Sequence, residues 1–316
     1  MTIPLFDVHC DTISHGKPLR KNDLNTDLER LMAYSPAAQV FAIFVRPDTD
    51  RPPADFSRDA PAEELERLGF EYISRLRGEI LKNSDIASMC LNGEDIRSAG
   101  RCGRVAALMA VEGAELIGCT TDGLLRAYEQ GVRLVNITWN FRNRLSGTAL
   151  GGGEGLTDEG RAFVRYAQQI GVAVDMSHIS ERAFWDTMEI AVRPIIAGHS
   201  NSKALCDFPR NLTDEQFTAL VRCGGGAGVN LCTDFLGLGR DVEAAAEHIE
   251  HFLSLGGEKA VFLGSDLDGI DELPRGMTGI ESMGELYDCL LRRNLSEDLV
   301  RDIFYNNFLS IFERCV

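Results

Sequence analysis

The sequence predicts a (β/α)8 TIM barrel, and three observations carry that expectation. Eight short apolar or β-rich runs are spread along the chain, each bounded by turn residues. Helical patterns fill most of the intervals between them, as a barrel of parallel strands requires. Lastly, His9, Asp11, Glu112, His178, His199 and Asp266 stand at the ends of five of these runs, the end at which such a barrel carries its working groups.

The eight runs cover residues 3–9, 39–45, 105–113, 132–139, 172–178, 194–200, 227–231 and 260–266. Several are apolar nearly throughout, as expected for parallel strands covered on both faces. Between them, Leu65, Leu68, Tyr72, Ile73, Leu76 and Ile80 recur at helical spacing and predict a helix near 63–82. Val242, Ala246, Ile249, Phe252 and Leu253 predict another, ending before Gly256. The Pro-rich segment 46–61 reads as a loop, so the connection from the second strand to the third, about 46–104, is unusually long. From about residue 280 two helices are expected, with Ser296 as the N-cap of the second. No repeat or linker interrupts the pattern, so residues 1–316 are expected to form one barrel domain.

Bulk composition narrows the functional classes. With 316 residues, 44% hydrophobic and 25% charged, the chain has material for a sizeable core. A net charge of −16 with no basic block argues against nucleic acid or an anionic membrane as partner. The N-terminus has neither the basic nor the long apolar region of a signal peptide, and no run approaches the roughly 20 apolar residues of a membrane span. Nine cysteines without a CxxC pair read as reduced, mostly buried side chains, and the cytoplasm is the expected compartment.

Only six histidines are present, and three of them close apolar runs. His9 and Asp11 alternate along a strand, so they share a face while Cys10 points away. An imidazole and a carboxylate so placed can bind a divalent metal; taken alone, the pair reads equally as a core histidine bonded to an aspartate. Glu112 follows an apolar run that would bury it, which is unfavourable for a lone carboxylate and relieved by metal coordination. An N-cap near Glu115 or a salt bridge is the alternative. His178 and His199 end successive strands with a helical pattern between them, as adjacent βα units delivering neutral imidazoles to one metal would. Asp266 and Asp268 share a face at the last strand, and Asp266, nearer the barrel, is the preferred proton shuttle. SDLDGID is not a calcium loop, because its glycine falls at position 4 rather than 6.

Other features are set aside. The glycine-rich segment 151–155 lacks the ending of a phosphate loop and is expected to be a mobile loop over the site. Residues 224–228 precede a strand, at the wrong end of a barrel for chemistry. His248 and His251 are expected on a helix surface, and His15 has no partner in its spacing.

Five motifs, DVHCDT at 7–12, VEG at 111–113, the SH of DMSHIS, GHSNSKALCDFPRNLTDE at 198–215 and GSDLDGI at 264–270, occur in this order. In them the chain resembles the zinc membrane dipeptidases, also called renal dipeptidases, of the metal-dependent amidohydrolase type of barrel. The resemblance runs through nearly the whole chain. It implies two zinc ions per chain, with His9 and Asp11 on one, His178 and His199 on the other, and Glu112 on both. It further implies that Arg210 holds the C-terminal carboxylate of a short peptide, that Asp266 is catalytic, that D-residues at the C-terminal position are tolerated, and that the protein is a homodimer. One position departs from the family. A histidine thought to assist at the scissile carbonyl is replaced by Trp139, whose indole offers a single N–H donor. Asn140, Arg142 or Asn143 would take over at the carbonyl. Two rival readings remain: an N-acyl amino acid deacylase or lactonase on the same metal site, and an inactive zinc-binding scaffold.

Overall fold

The computed structural model describes residues 2–45 and 62–316. The whole of the expected loop 46–61 therefore lies outside the described residues. Eleven strands are present among those described: β1 (Leu5–Cys10), β2 (Ala37–Ile43), β3 (Ala87–Met89), β4 (Val105–Glu112), β5 (Val132–Asn136), β6 (Ser146–Thr148), β7 (Gly152–Leu156), β8 (Ala173–Asp175), β9 (Ile196–Ala197), β10 (Gly226–Val229) and β11 (Val261–Leu263).

Eight of them close a parallel barrel in the order β2-β1-β11-β10-β9-β8-β5-β4, shut by pairing of β4 with β2. The strand β3 was not expected. It shares one edge of β4 with β5, pairing along Val105–Ala107 while β5 takes over from Met109. The other correction concerns the glycine-rich segment 151–155, expected as a mobile loop. Its residues 152–155 belong to β7, which forms an antiparallel hairpin with β6.

Burial explains the barrel directly. β1, β2, β4 and β5 are buried at every position, which is why they read as continuous apolar runs. One face of the ladder, with Phe6, Ala38, Val40, Ala106, Leu108, Leu134, Ala173, Ile196 and Phe262, forms a common cluster that Phe308 and Phe312 of the C-terminal helix join. The opposite face, with Phe41, Met109, Val135 and Val229, packs among helix residues such as Ile73, Phe163 and Phe252. The expected helices are Ala62–Lys82, Val242–Ser254 and, near the C-terminus, Met283–Arg292 and Glu297–Arg301. Ser296 caps the last of these, its side chain accepting from Leu299 N.

The pairing of β1 with β2 shifts register between Asp7 and Cys10. Phe6 pairs with Ala38 on the inner cluster, whereas Cys10 pairs with Phe41 on the outer one. The extra residue lets Val8 and His9 both turn inward, the usual effect of a bulge beside a functional site.

Candidate metal centre and active site

The barrel's strand-end rim gathers the predicted residues. His9 lies in β1 and Glu112 is the last residue of β4. His178, His199 and Asp266 do not end strands as expected; they stand two or three residues past β8, β9 and β11. The ladder stops short because the backbone turns there. His178 has φ 78° and Asp266 φ 62°, left-handed values that a strand cannot hold.

Close backbone crossing sets these turns. A Cβ on Gly264 would meet Gly198 O at 1.7 Å, and one on Gly198 would meet Asp175 Oδ2 at 2.1 Å. Only glycine lets the loops carrying His199 and Asp266 approach so nearly. The buried Asp175 carboxylate then accepts from Gly198 N and Ser177 N, both at 2.8 Å, fixing the chain beside both histidines.

Glu112 is the centre of the cluster. Its Oε1 lies 2.9 Å from His178 Nε2 and 3.5 Å from both His9 Nε2 and His199 Nε2. His9 Nε2 is 3.9 Å from Asp11 Oδ1 and 3.9 Å from Asp266 Oδ1. All six side chains are nearly or fully buried except Asp266, which is 15% exposed. Behind the site Asn140 Oδ1 meets His178 Nδ1 at 2.8 Å, and Asn230 Nδ2 donates to Asp266 Oδ2 at 2.9 Å.

The electrostatics are those of a site built around a cation. Burial opposes ionisation of Glu112, yet the charge on His9 and the close approach of the His178 and His199 imidazoles hold it well below the usual carboxylate range. Burial likewise opposes a charge on His9, but Glu112, Asp11 and Asp266 outweigh it and push the imidazole up to about 10. Burial, with Arg210 adding, brings His178 down to about 4, and burial with His9 lowers His199 strongly. Burial lifts Asp266 to about 6, with His9 opposing and Glu112 adding. Glu112 is thus held ionised beside the neutral imidazoles of His178 and His199, as metal ligation demands, while His9 carries a positive charge that a bound metal would displace.

Hydrogen bonding tests the fit further. With its Nδ1–H given to Asn140, His178 turns a bare Nε2 toward the Glu112 oxygen 2.9 Å away. Two acceptors at that separation repel unless a cation lies between them. His9 Nε2 is buried without a hydrogen-bond partner. Among the described residues two donor triads lie within metal-binding reach, His9–Glu112–His199 and His9–Asp11–Asp266. Nitrogen and carboxylate donors of this kind suit zinc.

The remaining expected residues lie around this centre. Arg210 is buried and its guanidinium sits 5.5 Å from the Phe235 ring, with Nη2 unpartnered and no ion pair among the described residues. Burial lowers its pKa, against the attraction of Asp266 and Glu112. Trp139 is half-buried, 6.4 Å from the His178 ring, with Phe44 at 4.6 Å and Phe141 at 5.4 Å. Asn140 directs its oxygen to His178 rather than to open space. Asp268 lies apart, bonded by Thr12 Oγ1 and Asn25 N at 2.6 Å each. His15 touches the Asp268 carbonyl at 2.7 Å.

Two residues are not evident from the sequence. Asn230 follows β10 directly, and asparagine is not among the usual zinc ligands; a polar residue closing an apolar run is the one signal it leaves. His248, expected on the surface, is fully buried, because its ring faces the loops after β9 and β10 rather than solvent.

Comparison with known proteins agrees with this geometry. Residues 1–315 match the family model described as membrane dipeptidase, peptidase family M19. An uncharacterised Klebsiella pneumoniae protein from the pqqA 5′ region is 31% identical over 267 residues, covering 80% of this chain and 97% of that one. A metallopeptidase from Rhodobacter sphaeroides, solved with a phosphinate mimic of the dipeptide L-Ala-D-Ala, superposes with a TM-score of 0.89 at 26% identity over 100% of both chains. Dipeptidase AC, an M19 metallopeptidase, superposes at 0.88 and 26% identity, covering 100% of this chain and 99% of that one. The chain belongs to the membrane dipeptidase family, peptidase family M19, and is a metal-dependent dipeptidase.

Proposed function

We propose that the chain is a binuclear zinc dipeptidase acting on short peptides with a free C-terminal carboxylate, L,D-dipeptides among them. The observation that carries the two-metal reading is the single Glu112 oxygen facing the Nε2 atoms of His9, His178 and His199 at 2.9–3.5 Å. His9 and Asp11 would hold one ion, His178 and His199 the other, with Glu112 contributing to both. When bound, such ions supply Lewis acidity, bringing the pKa of water toward about 7 and polarising a carbonyl.

The chain's own groups do the rest. Asp266 Oδ2 is tied to Asn230, which leaves Oδ1 facing the cluster to accept a proton from the attacking water and return it to the leaving amine. Asn140 fixes the tautomer of His178. Arg210, desolvated and without a carboxylate of its own, binds that of the substrate bidentately. Trp139, with Phe44 and Phe141, offers an apolar wall beside His178 that favours apolar side chains on the substrate. The L-Ala-D-Ala mimic held by the Rhodobacter sphaeroides relative supports a dipeptide of mixed configuration.

On this reading residues 1–316 form one catalytic barrel, with 46–104 as its extended connection and helices at its C-terminus. No helix among the described residues is long and apolar enough to cross a membrane. A homodimer in the cytoplasm is the assembly and compartment we infer from the family resemblance and the sequence.

Arg210→Met tests substrate recognition. It is expected to raise KM for a dipeptide by about 30-fold or more, as loss of one partner of a buried charge pair does. KM for the same dipeptide carrying a C-terminal amide is expected to stay unchanged. Steady-state kinetics on L,L and L,D dipeptides, their amides and N-acyl amino acids would show it. Preference for N-acyl amino acids over every dipeptide would contradict the proposal.

A further inference from the structure

Two loops meet around Arg210. The first, residues 200–212, follows β9 and carries the arginine. Its ends are drawn together by hydrogen bonds from Lys203 N to Leu212 O at 2.7 Å and from Leu212 N to Asn201 O at 2.8 Å. The second, residues 230–237, follows β10 and carries Phe235. That ring lies 5.5 Å from the Arg210 guanidinium and 4.8 Å from the Phe208 ring. Asn211 joins the loops, its Nδ2 donating to Cys206 O and to Phe235 O at 2.9 Å each.

His248, on the helix Val242–Ser254, packs against both loops. Its Nδ1 accepts from Ser202 N at 3.0 Å, at the entry to the first loop. Its Nε2 faces Leu236 O at 3.3 Å, one residue past Phe235 in the second. One neutral tautomer serves both contacts: a bare Nδ1 takes the amide proton and an Nε2–H is given to the carbonyl. The ring is fully buried, and burial brings its pKa down to about 4, which keeps the ring neutral.

Arg210 needs such a support. Among the described residues its guanidinium makes no ion pair, and the Phe235 ring lies 5.5 Å from it. A guanidinium that is to meet a carboxylate bidentately must be held in one orientation before the substrate arrives. We propose that His248 is a positioning residue for substrate binding: by tying Ser202 to Leu236 it sets Arg210 against Phe235, and so sets affinity for the substrate's carboxylate. This rests on the reading of Arg210 as the carboxylate anchor.

The test compares a dipeptide with its C-terminal amide on zinc-reconstituted His248→Ala, His248→Asn and His248→Gln. His248→Ala is expected to raise KM for the dipeptide by about tenfold, the loss of two buried hydrogen bonds, with kcat and KM for the amide within about twofold of the parent. His248→Asn keeps an acceptor for Ser202 N and His248→Gln a donor for Leu236 O, so each is expected to lose roughly threefold. If the alanine variant does not fold, these two decide the matter. An unchanged KM for the dipeptide, or equal losses on dipeptide and amide, would overturn the proposal. Arg210→Met runs in parallel. If it fails to discriminate dipeptide from amide, the anchor itself is wrong; if it discriminates and the His248 variants do not, only the role of His248 falls.

Discussion

Asp266→Asn is expected to lower kcat on dipeptides by about 10³-fold, within the range contributed by a positioned acid–base group. Bound zinc and thermal stability are expected to match the parent protein. The substitution is well suited to isolate proton transfer. Asparagine tolerates the left-handed φ of 62° better than most residues, and its carbonyl can still accept from Asn230 Nδ2 at the 2.9 Å position. What disappears is the ability to take up and release a proton at Oδ1, 3.9 Å from His9 Nε2. Steady-state kinetics beside metal analysis would decide it. Loss of zinc together with activity would make Asp266 a ligand, and retained turnover would move the shuttle elsewhere.

Glu112→Gln is expected to remove at least half of the bound zinc and to lower kcat/KM by about 10²-fold or more, exceeding the usual effect of losing a supporting group around a metal. Among the described residues, Glu112 alone has an oxygen facing all three imidazole Nε2 atoms of the site, at 2.9 to 3.5 Å. An amide preserves its volume but offers one neutral oxygen, and its NH2 group repels a cation. The negative charge that raises the pKa of His9 also vanishes. Metal analysis and far-UV circular dichroism on the variant check this, with the fold expected unchanged. Full metal occupancy would contradict the role given to Glu112.

The barrel was legible because parallel strands covered on both faces leave uninterrupted apolar runs, as in Val105–Glu112. The ends of those runs were legible as chemistry but not as geometry. Residues 172–178 read as one strand, yet pairing ceases at Asp175, and no hydrophobic pattern records that His178 turns to a φ of 78°. The β6–β7 hairpin was hidden for a different reason. Gly152–Leu156 has few side chains to pack, so it is held as a strand mainly by backbone pairing, which composition does not show. His248 was misplaced because a histidine among helix residues reads as polar surface until its two backbone partners, distant in sequence, are known. Asn140 and Asn230 illustrate the same limit. Each works through another side chain, His178 or Asp266, and only the folded chain brings the pairs together.

The most direct test of the account is zinc stoichiometry measured with L-Ala-D-Ala hydrolysis on the same sample, purified without chelator and reconstituted with zinc. Two zinc ions per chain, with turnover that is lost on chelation and restored by zinc, is the result predicted by the cluster around Glu112. A chain that binds no zinc, or that cleaves the dipeptide equally well after chelation, would contradict it.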